Sequence, residues 1–161
     1  MMVIPDDFSV EERSERAMSY FHKGFNCSQS VAMAFSDIAG IDTRTMAVLA
    51  AGFGGGFGRM REVCGAVSGM TMIAGVLSPA ADEDDVRTAK KKNYELVQEF
   101  AASFREMNGS IVCRELLGLR SSGEVTSLPE ERTKEYYKKR PCEQLVGMAA
   151  GIVAKKILSM K

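Results

Sequence analysis

Helix start and stop signals divide this 161-residue chain more tightly than any other feature in it. Ser9 with Glu12 reads as a capping box, and the apolar positions Ala17, Met18 and Phe21 lead to Gly24, which predicts a first helix over residues 10–23. Asn26 is placed to cap a second, in which Val31, Ala34, Phe35 and Ile38 recur at helical spacing before Gly40 stops it. Asp42 or Thr43 opens a third through Met46 and Leu49. The run Gly52-Phe53-Gly54-Gly55-Gly56-Phe57-Gly58 then predicts a loop or a tight backbone crossing, because glycine extends a helix only at a cost. An apolar helix follows from Cys64 to Leu77, stopped by Ser78-Pro79. Asp82 to Asp85 supplies acid for the start of a long helix, whose predicted apolar stripe is Val86, Tyr94, Val97, Phe100, Ala101 and Phe104, ended by Asn108-Gly109. Ser110 is read as the cap of a brief helix closed by Gly118. Pro129 opens another that ends in Lys138-Lys139-Arg140, and Pro141 begins the last, through Leu145, Val146, Ala149, Ile152, Val153 and Ile157.

Composition agrees with helices. Apolar residues make up 45% of the chain and aromatic ones only 7%, which suits close helix packing better than a sheet. The expected fold is all-α, a single domain over residues 1–161 built as a bundle of about six to eight helices. No internal repeat is present, and Leu119 to Leu128 is the expected flexible loop. With 21 basic and 21 acidic side chains, the chain lacks the cationic excess that general nucleic-acid binding requires. Val63 to Ala81 is nearly long enough to span a bilayer, yet its three glycines, two serines, threonine and proline predict a buried central helix and no membrane insertion. The opening Met-Met-Val-Ile-Pro-Asp-Asp-Phe has none of the marks of a signal peptide, and the expected location is cytoplasmic.

In a reducing compartment four cysteines point to metal or redox chemistry before a structural disulfide frame. Cys27, Cys64, Cys113 and Cys142 each fall at a predicted helix start, where unpaired N–H groups and the helix dipole favour an anion. A thiolate is both the better nucleophile and the metal-binding form, so four such residues brought together make a redox pair or a metal cage. The competing reading is that each is a small buried hydrophobe. No C-x-x-C or C-x-x-C-H occurs, so any pairing is long-range. Arg59, Arg61, Arg114 and Arg140 lie near the cysteines in sequence, but so do Glu62, Glu115 and Glu143, and sequence alone leaves that balance open.

The segment Cys64-Gly65-Ala66-Val67-Ser68-Gly69 resembles the signature of a family of redox-active proteins named for a CGAxxG element and four cysteines. One cysteine precedes that element in the family and two follow it, as Cys27, Cys113 and Cys142 do here. The resemblance implies a redox role and no particular substrate. The family is also similar to the non-haem part of split-Soret cytochromes, whose cysteines hold an iron–sulfur cluster; this implies a cluster with Cys27, Cys64, Cys113 and Cys142 as its metal ligands. Haem is not expected, since C-x-x-C-H is missing and His22 is the sole histidine. The same thiols can form disulfides or bind zinc.

Gly65 and Gly69 stand one turn apart and allow another helix to approach closely. The Gly52–Gly58 run fails both G-x-G-x-x-G and the P-loop pattern, so its expected work is steric. His22 is read as a surface or capping residue, the methionines, Met70 and Met72 among them, as core filling, and Lys90-Lys91-Lys92 and Lys138-Lys139-Arg140 as solvated helix faces or ends. The leading expectation is a redox protein with an unidentified redox partner, using Cys27, Cys64, Cys113 and Cys142 as catalytic thiols or cluster ligands. Cys64 is then the expected nucleophile, with another cysteine resolving the mixed disulfide. The alternative is a non-catalytic protein with structural zinc, or with thiols that only pack, whose apolar helix faces mediate assembly, including a homo-oligomer.

Overall fold

The computed structural model describes residues 2–81, 84–119 and 126–161. Ser9 Oγ accepts a hydrogen bond from the Glu12 N–H at 3.0 Å and opens α1 (Val10–His22). Asn26 and Gln29 form a complete capping box at the head of α2 (Cys27–Met33). The continuous helix expected through Ile38 is broken: α2 stops at Met33 and one further turn, α3 (Ser36–Ala39), follows. The break coincides with Arg13, a fully buried side chain of α1. Its guanidinium donates to the Ala34 carbonyl at 2.7 Å and grips both Asp37 oxygens at 2.6 and 2.7 Å, pinning the chain where the two helices separate.

Asp42 caps α4 (Thr43–Ala50). A 3-10 turn over Ala51–Phe53 leads into α5 (Gly54–Phe57), a single turn in which Gly55 and Gly56 have left-handed φ of 68° and 72°; the glycine run is the tight crossing that its composition predicts. Then come α6 (Gly65–Leu77), α7 (Val86–Asn108), α8 (Cys113–Leu116), α9 (Lys134–Lys139) and α10 (Cys142–Ser159). The fold is all-α, with no strand among the described residues and one isolated antiparallel bridge between Val63 and Val112. Among the described residues six helices have seven residues or more, within the expected number, and the short turns α3, α5, α8 and α9 lie between them. No helix among the described residues is long and apolar enough to cross a membrane.

Several boundaries differ from expectation. The helix expected from Pro129 begins only at Lys134, because Thr133 is the residue whose hydroxyl accepts from the Tyr136 N–H, while Arg132 just before it is committed to tertiary contacts. Ser110 accepts from the Val112 N–H, and α8 starts after Val112, not after Ser110. On α7 the buried line is Ala89, Leu96, Phe100 and Phe104; Val97 and Ala101 are half-buried, and Val86 and Tyr94 are exposed. Asn93 sits on the buried line and donates to the Ala74 and Ser78 carbonyls at 3.3 and 3.0 Å, so a polar residue tethers α7 to the end of α6. Most of the expected loop, residues 120–125, lies outside the described residues.

α6 is the buried central helix. It packs against α2, α7 and α10, while α1 lies along α10. Phe21, Phe35, Met70, Ile73, Phe100, Phe104, Val146, Val153 and Ile157 are fully buried around it, so Met70 does fill core. The contact of α6 with α2 is close enough to require glycine. A Cβ at Gly69 would lie 2.8 Å from Val31 Cβ and 3.0 Å from the Ser28 carbonyl oxygen, and backbone has little room to give. Gly69→Ala is therefore expected to lose about 1–3 kcal/mol in urea unfolding, the usual cost of overpacking. Gly75→Ala on the same helix, where a Cβ meets nothing within 4 Å, is expected to be neutral or stabilising by up to about 1 kcal/mol. Equal midpoints for the two variants would contradict the close approach.

Candidate functional site

Cys27, Cys113 and Cys142 are the first residues of α2, α8 and α10, and Cys64 is the residue that precedes α6. All four cysteines thus stand at helix starts, and all four line one cavity of about 410 Å³. Different contacts bring them there. Gly65 lets the head of α6 meet the head of α2: its absent Cβ would sit 3.0 Å from Cys27 Cβ and 3.1 Å from the Ser28 nitrogen. Residues 61–64 and 111–114 are stitched together by Cys64 N–H to Ile111 O at 2.7 Å, Cys113 N–H to Glu62 O at 2.6 Å and Arg114 N–H to Arg61 O at 3.2 Å. Behind them Gly56 leaves the space that Cys113 needs, since a Cβ there would be 2.6 Å from Cys113 Cβ. The glycine run is thus a seat for one of the four thiols.

The thiols do not share one environment. Cys27 and Cys142 both line the cavity, and the chief influence on the acidity of each is the other thiol, by a hydrogen bond from the Cys27 thiol that favours a Cys142 thiolate. That bond lowers Cys142 to about 7 against its burial, with the charges of Arg140, Arg132 and Arg61 helping. The same bond, with burial, raises Cys27 well above the usual thiol range. Burial also pushes Cys64 up to about 12, although the Ala66 and Val67 N–H groups at the head of α6 oppose it. Cys113 is raised by burial as well, against a hydrogen bond from the Arg61 guanidinium at 3.7 Å. Helix-start position therefore does not by itself decide acidity here: desolvation outweighs the N–H groups at Cys64, so the nucleophile expected there is a buried, protonated thiol. Cys142 is the acidic one.

The charge balance that the sequence leaves open is set by which side chains reach the cavity. Arg59, Arg61 and Arg140 line the cavity, joined by Arg132, which nothing in the local sequence singles out. Arg132 is fixed by donating to the Phe21 and Phe25 carbonyls at 3.0 Å each and by stacking 4.2 Å from the Phe21 ring centroid. Arg140 is thus a wall residue, not part of a solvated face; it donates to Glu130 at 2.9 Å. Of the nearby acids, Glu143 pairs with the exposed His22 at 3.1 Å, Glu115 accepts from the Ser110 hydroxyl and Glu62 approaches Arg114 at 3.8 Å. Glu130 is the one carboxylate on the described wall. Arg59 and Arg61 are also held in the left-handed region, at φ 63° and 62°, a conformation that costs roughly 1–2 kcal/mol for a residue with a Cβ.

Among the described residues, no group of three or more His, Cys, Asp or Glu side chains is arranged to hold a metal ion. The four sulfurs share a cavity wall without forming a ready cage. The family described as "Putative redox-active protein (C_GCAxxG_C_C)" matches residues 25–156, a span that contains all four cysteines and the central Cys64–Gly69 element. The chain belongs to this family. In this C_GCAxxG_C_C protein the matched span includes all four cysteines that share the cavity. No curated protein and no solved structure matches the chain.

The acidity of Cys142 has a direct readout. Only the thiolate reacts with iodoacetamide, so modification of Cys142, followed by mass mapping, is expected to rise with pH to a midpoint near 7 and then level off. In Cys27→Ala the hydrogen-bond donor is gone and the midpoint is expected to move upward. A wild-type midpoint in the ordinary thiol range near about 8.5 would contradict the assignment.

Proposed function

We propose that this cavity is a thiol/disulfide redox site in which Cys142 is the attacking thiolate and Cys27 the resolving thiol. The observation that supports this is the shared cavity: Cys27 and Cys142 stand on its wall at the heads of two different helices, and Cys142 is the acidic thiol of the four. In the reduced state Cys27 holds its proton toward the Cys142 sulfur. Attack by Cys142 on an oxidised sulfur displaces a thiolate leaving group and leaves a mixed disulfide. Cys27 then loses its proton and attacks Cys142 Sγ, closing the Cys27–Cys142 disulfide and releasing the second thiolate. Two electrons pass from the protein to the oxidised partner, and the reverse sequence restores the dithiol. Cys64 and Cys113, both buried and protonated, border the pair. A reducing compartment such as the cytoplasm suits this cycle, because it returns the pair to the dithiol.

An iron–sulfur cluster or zinc would draw on the same four sulfurs, and among the described residues no three of them are arranged to hold a metal ion. The two chemistries separate in one preparation. Protein purified anaerobically is expected to be colourless, without stoichiometric iron, zinc or acid-labile sulfide, and to show four free thiols. Mild oxidation is expected to remove two of them, with peptide mapping placing the link between Cys27 and Cys142. Iron with labile sulfide and visible absorption would replace this reading by a cluster, stoichiometric zinc by a structural site, and thiols unchanged by oxidation would end the redox reading.

A further inference from the structure

The chain has no net charge, yet the described wall of its cysteine cavity carries four arginines, Arg59, Arg61, Arg132 and Arg140, against the single carboxylate Glu130. Like charges gathered in a half-buried, mostly apolar recess repel one another and lose hydration, which a protein tolerates where an anion is to be received. Arg59 registers this crowding: after burial itself, the nearby Arg61 charge is the chief influence that lowers it. Two of the four, Arg59 and Arg61, are presented from backbone at left-handed φ; the Arg59 guanidinium donates to the Thr126 and Leu128 carbonyls and that of Arg61 to Cys113 Sγ at 3.7 Å. The cavity's volume of about 410 Å³ falls in the range of small-molecule sites, roughly 300–1,000 Å³.

We propose that the oxidised substrate of this site is a small disulfide bearing carboxylates or other anionic groups, its anionic ends held by the arginines of the wall while one of its sulfurs meets Cys142. This rests on the thiol/disulfide reading and adds the substrate class. Cys142 attacks one substrate sulfur, the substrate S–S bond breaks, and the first half leaves as a thiolate that takes up a proton. Cys27 gives up its proton and attacks Cys142 Sγ, and the second half leaves likewise. One substrate disulfide becomes two thiols, and the protein dithiol becomes one disulfide.

The test compares two disulfides of similar size, anionic dithiodipropionate and neutral hydroxyethyl disulfide, mixed with the pre-reduced full chain. Formation of the Cys27–Cys142 link is followed by mass, and each rate is divided by that of mercaptoethanol with the same disulfide. The anionic substrate is expected to be favoured about tenfold at low ionic strength, with the preference shrinking as salt screens the arginines. Arg59→Asn, chosen because asparagine tolerates left-handed φ, is expected to reduce the anionic-to-neutral rate ratio several-fold. Equal normalised rates for both disulfides, each still yielding the Cys27–Cys142 link, would overturn the anionic substrate and leave the redox pair standing. Failure of both to yield that link would overturn the redox pair and, with it, this inference. The wild-type charge and salt dependence decides the matter even if Arg59→Asn does not fold.

Discussion

The site depends on how closely two helices can approach. Where α6 crosses α2, a methyl group at Gly69 would collide with the Val31 side chain and the Ser28 carbonyl, and one at Gly65 would reach Cys27 Cβ at 3.0 Å. Removing side chains from one face of α6 sets the head of that helix against the head of α2, and each head carries a cysteine. Cys142 joins because α10 packs on both helices, and Cys113 because residues 111–114 pair with 61–64. The packing of the core and the assembly of the thiols are one arrangement, and small residues make it possible.

Within that arrangement two electrostatic effects compete, and their balance sorts the thiols. Helix starts and arginines favour the charged form, while burial opposes it. At Cys64 burial prevails and the thiol is pushed up to about 12. At Cys142 a donor thiol and three arginines prevail, holding it down to about 7. One acidic thiol beside a proton-holding partner is the pattern that thiol–disulfide exchange needs, because the attacking sulfur is charged near neutral pH and its partner resolves afterwards.

Much of this was legible in the residues. Caps such as Ser9, Asn26, Asp42 and Asp85, and stops such as Gly40 and Gly109, are local, and the helices begin and end at them. The four cysteines, the central motif and the small face of Gly65 and Gly69 also stood in the sequence, and they make up the core of the site. What was not legible depends on partners distant in the chain. The break after Met33 is held by Arg13, 21 residues before Ala34; Arg132 reaches the cavity through Phe21, 111 residues away; and Asn93, not Tyr94, faces the core because α6 supplies the carbonyls it needs. The acidity of Cys142 was hidden for the same reason, since its hydrogen-bond donor, Cys27, lies on another helix.

The most direct measurement of the account is a site-resolved redox titration. The protein is equilibrated in dithiothreitol buffers of graded potential and each cysteine's free fraction is read by differential alkylation and mass mapping. The account predicts that Cys27 and Cys142 lose their free thiols together, along one two-electron curve, while Cys64 and Cys113 stay free over that range. Separate curves for Cys27 and Cys142, or a curve that Cys142 shares with Cys64 or Cys113 instead, would contradict it.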